Sequence, residues 1–355
     1  MNEADIILTK QITGGKTPGV HYLIFDKDSI IHRFHKGYTD LKNHLMVDQN
    51  TTFNAFSITK TFTALAVMQL FETNRLNIED PVIKYVPDFR YSNKITIKQL
   101  LAHTAGIPNP IPLSWVHLEE EHKTFDRIAF INLIFKKFSK SKSNPNEKFL
   151  YSNLGYIVLG QIIEQVSGGT YEDYIRDNII QPLGIKPDEL GFDIQKNNLQ
   201  AKGYQKRFSL VNGILGFFLD KSKYMDKSEG RWKPFKNLFI NGTSYGGLSG
   251  SPDGFRKYIQ ELLKPNSVLL SDEYKEKLFI ENYTNSNKPT GMCLSWFRGA
   301  LKGQEYYTHA GGGGGYYCEI RIYRDLGIGS VIMFNRSGMM DERFLDKLDK
   351  YYIDN

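Results

Sequence analysis

The chain has 355 residues, 41% of them hydrophobic and 13% aromatic, enough to bury a sizeable core in one large domain or two smaller ones. Its net charge of +6 comes from 45 basic and 39 acidic residues interspersed nearly throughout. That argues against nucleic acid as a partner, which needs clustered basic side chains. No stretch approaches the roughly 18 uninterrupted apolar residues of a membrane span, so no integral membrane segment is expected. The start, MNEADIILTK, lacks the basic residues and apolar run of a secretory signal. A cytoplasmic location follows if Met1 is the native start, an extracytoplasmic one if the chain was trimmed. Cys293 and Cys318 give no disulfide framework and are expected as free, buried thiols in strands.

Residues 20–37 alternate around the turn-like DKDS and predict a β-hairpin. NAFSITKTFTALAVMQLF, residues 54–71, predicts a buried helix ending near NRLN. ITIKQLLAHTAGIP predicts a second helix, with Thr96 and Gln99 as a capping box and Gly106 at its end. Residues 125–138 read as helix and 139–148 as a polar loop. Residues 153–167 have helical spacing and stop at Gly168. YEDYIRDNIIQPLGI predicts a further helix broken at Pro182 and Gly184. The charged segment 218–237 reads as a surface excursion. SPDGFRKYIQELL starts a helix with Ser251 as N-cap and Pro252 at its first position. GYYCEIRIYRDLGIGSVIMFN predicts two strands, and 339–352 a last helix. Strands at both ends with helices between imply an α/β (α+β type) fold: one antiparallel sheet built from both chain termini and flanked by helices. Residues 76–239 would form an inserted helical subdomain, and 1–75 with 240–355 the α/β subdomain.

The 54–71 helix opens with a hydroxyl and an amine, Ser57 and Lys60, although lysine is rarely buried without a partner. At i and i+3 they share a face, the arrangement of a serine nucleophile with its base one turn away. Such a lysine works as a base only if desolvation or a neighbouring cation lowers its pKa. Each short motif has a decoy, however. Ser139 and Lys142 repeat the spacing in a polar loop, Tyr-x-Asn occurs at Tyr91 and Tyr151, and His-x-Gly at His35 and His309. GTSYG, centred on Ser244, fits a Gly-x-Ser-x-Gly elbow, but the glycines and Pro252 after it postpone the helix that elbow requires. His117 and His122 lack the spacing of a helical zinc pair. His103 is expected to fix the loop after its helix by hydrogen bonds. The run Gly311–Gly315 reads as a strand edge without side chains, open to substrate.

Context selects Ser57, Tyr151 and His309. FSITK before a hydrophobic helix, LLAHTAGIP, PNEKFLYSNLGYIVLG, GGLSGSPDGF and HAGGGGGY, in that order, resemble the β-lactamase-related serine hydrolases, the superfamily of penicillin-binding proteins, class C β-lactamases and related esterases and peptidases. The resemblance implies a β-lactamase/transpeptidase-like fold, with Ser57 as acylated nucleophile, Lys60 as its activating partner and Tyr151 as general base and acid. It implies Asn153 as a contact of substrate and Lys60, the N–H groups of Ser57 and Gly312 as the oxyanion hole, and His309 and Gly311 as substrate-binding. His309 stands where many relatives carry the lysine of Lys-Thr-Gly, and Ala310 supplies no hydroxyl. The expected activity is cleavage of an ester or amide in a small molecule or peptide, without metal or organic cofactor. The alternatives are a D-amino-acid peptidase, a DD-carboxypeptidase or β-lactamase, or a non-catalytic sensor that acylates once. The sequence leaves the oligomeric state open.

Overall fold

The computed structural model describes residues 2–110, 112, 115–193, 199–208, 220–337 and 343–353. Helix α1 (Glu3–Thr13) precedes the hairpin of β1 (Gly19–Asp26) and β2 (Ile30–Asp40), and β3 is the short Leu45–Met46. The hairpin turns where the Asp26 carboxylate accepts the N–H groups of Asp28 and Ser29 at 2.8 and 2.6 Å, a local bond characteristic of aspartate in turns. The helices that follow include α2 (Thr59–Glu72), α3 (Ile97–Leu101), α4 (Arg127–Lys137), α5 (Asn153–Ser167) and α6 (Pro252–Leu263). The chain then returns as β4 (Phe297–Leu301), β5 (Gln304–Gly313), β6 (Tyr316–Tyr323) and β7 (Ile328–Phe334). The seven strands form one antiparallel sheet in the order β4-β5-β6-β7-β1-β2-β3. The two ends of the chain meet at β1–β7, where Val20 pairs with Phe334.

Side chains alternate across a strand, and β1 shows it. Val20, Tyr22 and Ile24 pack with Ala4 and Leu8 of α1 and with Phe344 and Leu348 near the C-terminus. Leu23 and Phe25 face the larger core, which holds α2, α5 and α6. Helix α2 is buried on nearly every side, as an all-round apolar helix must be.

Several expectations need correction. Helix α3 has the expected Thr96–Gln99 capping box but ends at Leu101, well before Gly106, because His103 turns the chain into the left-handed region (φ +57°). In YEDYIRDNIIQPLGI, regular α-helix covers only Tyr171–Ile175 before wider and tighter turns lead to Gly184. The segment 218–237 is not purely a surface excursion: Trp232–Pro234 pairs with Tyr204–Lys206, and Met225, Trp232 and Phe235 are buried. Cys318 lies in β6 but Cys293 lies outside any strand; both are free and buried. The expected C-terminal helix is helical over Asp346–Asp349, and residues 338–342 lie outside the described residues. Among the described residues no helix is long and apolar enough to cross a membrane.

Candidate active site

Ser57 sits in a 3₁₀ turn, Phe56–Ile58, that leads into α2. The turn is anchored by the Ala55 N–H donating to the Leu248 carbonyl at 2.9 Å. Phe56 adopts φ +47°, a left-handed conformation costing a non-glycine residue roughly 1–3 kcal/mol. Its ring rests against Tyr316, with centroids 6.2 Å apart, and against Gly313 and Gly314. One turn on, Lys60 is fully buried. Its Nζ donates to Ser57 Oγ at 3.0 Å and to the Tyr245 carbonyl at 2.8 Å. The rings of Tyr151, Tyr156 and Tyr245 lie around it, 4.9 to 5.5 Å away. Ring faces favour an ammonium by about 0.5–2 kcal/mol each, but desolvating an unpaired charge costs several kcal/mol. Among the described residues no carboxylate pairs with Lys60. Burial therefore wins and holds the Lys60 pKa well below the usual lysine value, which favours the neutral form that a base for Ser57 requires.

Tyr151 immediately precedes Ser152, the N-cap of α5, whose hydroxyl accepts the Gly155 N–H at 3.1 Å and donates to the Pro108 carbonyl at 3.0 Å. This cap fixes where the helix begins and so where Tyr151 stands. The Tyr151 ring lies 6.4 Å from that of His309 and 4.2 Å from that of His103. Asn153 opens the helix, its N–H donating to Asn109 Oδ1 at 3.1 Å. The Asn153 Oδ1 is buried without a hydrogen-bond partner, so the expected Lys60 contact is not made through this oxygen. Lys60 uses the Tyr245 carbonyl instead.

His309 is buried, with Nδ1 donating to its neighbour's Ala310 carbonyl at 2.8 Å and Nε2 without a partner. Burial first, and the Lys60 charge second, push its pKa down to about 3. Strand β4 pairs with β5 only as far as Phe297–Thr308, which leaves the β5 edge from His309 to Gly313 facing the Ser57 turn. A Cβ on Gly311 would stand 2.0 Å from the Ala55 carbonyl oxygen and 3.0 Å from the Ser57 nitrogen. A Cβ on Gly313 would meet the Phe56 ring at 2.9 Å, and one on Gly315 (φ +92°) the Gly203 backbone at 2.1 Å. The glycine run is thus a strand end and tight turn pressed against the protein's own chain. At Gly312 a Cβ would meet only the Tyr316 carbonyl oxygen, at 3.6 Å.

Ser57, Tyr151, His309, Gly311 and Gly312 line one cavity of about 810 Å³, and Lys60 bonds to Ser57 from beneath. Phe149, Phe297, Arg298 and Arg343 complete parts of the wall. Arg298 is paired with Glu281 and Glu305. The decoys stand elsewhere. Tyr91 donates to the Phe138 carbonyl at 2.6 Å, and His35 bonds to the Val47 carbonyl through Nδ1. Ser139 and Lys142 lie in the 139–148 loop. The Ser244 hydroxyl is buried and donates to the Tyr156 carbonyl at 2.8 Å. His117 and His122 share a 2.8 Å hydrogen bond that their spacing did not suggest. Among the described residues no cluster of three potential metal ligands forms. The sequence offered no signal for the Tyr245 carbonyl, the strained Phe56 or Arg343.

Comparison with known proteins bears on the family and the fold. The sequence model of the Beta-lactamase family matches residues 6–351. Protein flp of Staphylococcus aureus strain MW2 is 32% identical over 208 residues, 57% of this chain and 41% of that protein. Penicillin-binding protein 4* of Bacillus subtilis is 32% identical over 306 residues, 83% of this chain and 63% of that one. The chain thus spans less than two thirds of either relative. The structure of the octameric penicillin-binding protein homologue from Pyrococcus abyssi superposes with a TM-score of 0.77 at 26% identity, covering 95% of this chain and 74% of that chain. The fold is β-lactamase/transpeptidase-like.

Proposed function

The chain belongs to the Beta-lactamase family, and on that premise we propose that it is a serine hydrolase cleaving an ester or amide through an acyl-enzyme on Ser57. The observation that carries the reading is the buried Lys60 amine, 3.0 Å from Ser57 Oγ, with desolvation pushing its pKa down. Ser57 Oγ attacks the substrate carbonyl carbon while its proton passes to the Lys60–Tyr151 pair. The oxyanion develops toward the Ser57 and Gly312 N–H groups. Tyr151 returns the proton to the leaving group as the carbon–leaving-group bond breaks. Tyr151 then takes a proton from water, whose oxygen attacks the acyl carbon, and passes that proton to Ser57 Oγ as the bond from the acyl carbon to Oγ breaks. His309 and Asn153 flank the substrate.

Neutral substrates suit this site. The third motif carries no fixed charge, because burial keeps His309 neutral at pH 7, and Ala310 offers no hydroxyl. A carboxylate beside the scissile bond would lack the charge-assisted partner that a lysine gives. One observation favours a second reading, a peptidase acting next to a carboxylate: Arg343 lies on the cavity wall. Catalytic efficiency on p-nitrophenyl butyrate, D-amino-acid amides, peptides and nitrocefin separates the two. The first reading expects the neutral ester to exceed nitrocefin; the reverse order would overturn it in favour of the second. A burst without steady-state turnover on every substrate would identify a sensor instead.

A further inference from the structure

His103 makes a chain of contacts that centres on Tyr151. Its backbone carbonyl accepts the Leu150 N–H at 2.7 Å, and its Nδ1 accepts the Ser152 N–H at 3.1 Å. Between those two bonds, its ring packs on the Tyr151 ring with centroids 4.2 Å apart and planes 36° apart. On its other contact the ring meets Tyr156 at 4.9 Å, itself one of the three rings around Lys60. One residue thus holds the residue before Tyr151, the ring of Tyr151 and the residue after it. The backbone of His103 is left-handed, φ +57°, a conformation that histidine, with asparagine and aspartate, adopts more readily than other non-glycine residues. That turn is what brings the ring back under Tyr151 from the end of α3. Because Nδ1 accepts a hydrogen bond, the ring proton resides on Nε2, and that atom is buried without a partner. Burial first, then the nearby Lys60 and His309, push the His103 pKa well below the ordinary histidine value.

We propose that His103 is a positioning residue for Tyr151, setting its ring over Lys60 through the combination of Nδ1 acceptor and ring stack. It touches neither substrate nor the reacting atoms in this role. The inference rests on the reading of Tyr151 as the proton-transfer group. Protonation of His103 would occupy the Nδ1 lone pair and lose the Ser152 N–H bond, so the role excludes action as a triad base.

Two substitutions separate the contacts. His103→Phe keeps a ring and removes the acceptor; His103→Asn keeps an acceptor near the Nδ1 position and removes the stack. Turnover of p-nitrophenyl butyrate is measured per site, with sites counted by exhaustive fluorophosphonate labelling so that misfolded protein is not scored. In His103→Phe, kcat per site should fall by about 100-fold, the scale of an ångström-level misplacement, with KM within about twofold. His103→Asn should retain more activity than His103→Phe. In a Tyr151→Phe background, His103→Phe should produce no further loss, as expected of residues acting through one group. A lowered Tm with wild-type kcat per site in both variants would overturn the proposal and leave His103 purely structural. The dependence on Tyr151 is separable. Unimpaired Tyr151→Phe would sink the Tyr151 role, whereas inactive Tyr151→Phe beside unimpaired His103 variants would sink this proposal alone.

Discussion

Gly311→Ala adds a single methyl at the point where β5 touches the nucleophile turn. Its Cβ would lie 2.0 Å from the Ala55 carbonyl oxygen, 3.0 Å from the Ser57 nitrogen and 3.1 Å from the Ala55 carbonyl carbon. These are backbone atoms, so no flexible side chain can swing aside. Restoring even a 3.0 Å contact requires the turn and strand to separate by at least about 1 Å. That opens the gap between the Ser57 N–H and the β5 edge, and a displacement of this size costs on the order of 10²-fold in rate, about 2.7 kcal/mol of transition-state stabilisation. A control brackets the effect. Gly169→Ala meets nothing within 4 Å and should not move the Ser57 turn. The assay is kcat on p-nitrophenyl butyrate per labelled site, with Tm measured alongside. Wild-type kcat per site in Gly311→Ala would refute the argument that a side-chain-free β5 edge sets the Ser57 position.

His309→Asn should flatten the pH dependence of stability below neutrality. The folded state holds His309 at a pKa of about 3 against an unfolded value of 6.5. Below 6.5 the unfolded chain takes up a proton that the folded one refuses, and stability present above 6.5 is lost as pH falls toward 3. Between pH 6.5 and 5 the wild type should lose roughly 2 kcal/mol relative to His309→Asn, read from urea unfolding at both pH values; parallel curves would contradict this. Lys60→Met replaces a fully buried amine with an apolar side chain of similar length, so kcat should fall by about 10³-fold while Tm holds or rises. A large drop in Tm would show that the amine serves the fold more than the chemistry.

The sheet and most helix starts were legible because they rest on local signals: the apolar run of β1, the Thr96–Gln99 box and the Ser251 cap, with the left-handed Gly168 marking one helix end. Helix ends were less so. The apolar spacing of LLAH runs past Leu101, and histidine's modest preference for the left-handed region does not by itself announce that His103 will leave the helix at φ +57°. Motif order separated Tyr151 from Tyr91, a distinction that Tyr-x-Asn alone does not make. The glycine run was read as a strand edge open to substrate; Gly311 to Gly313 do end β5, but Gly311, Gly313 and Gly315 press against the protein's own chain, for a reason that is non-local. Ala55, Phe56 and Gly203 lie more than a hundred residues away in the chain, and no spacing within HAGGGGGY reveals them. Asn153 was assigned a Lys60 contact because motifs specify neighbourhoods; the hydrogen bond went to a backbone carbonyl of the GTSYG turn, where only the serine had drawn attention.

The central claim is that Ser57 carries the acyl group. Mapping a fluorophosphonate adduct by mass spectrometry of the digested protein tests it most directly, with Ser57→Ala as the control. The account predicts one modified serine, Ser57, and no labelling of a folded Ser57→Ala variant. An adduct on Ser244 or Ser139, or undiminished labelling of Ser57→Ala, would contradict it.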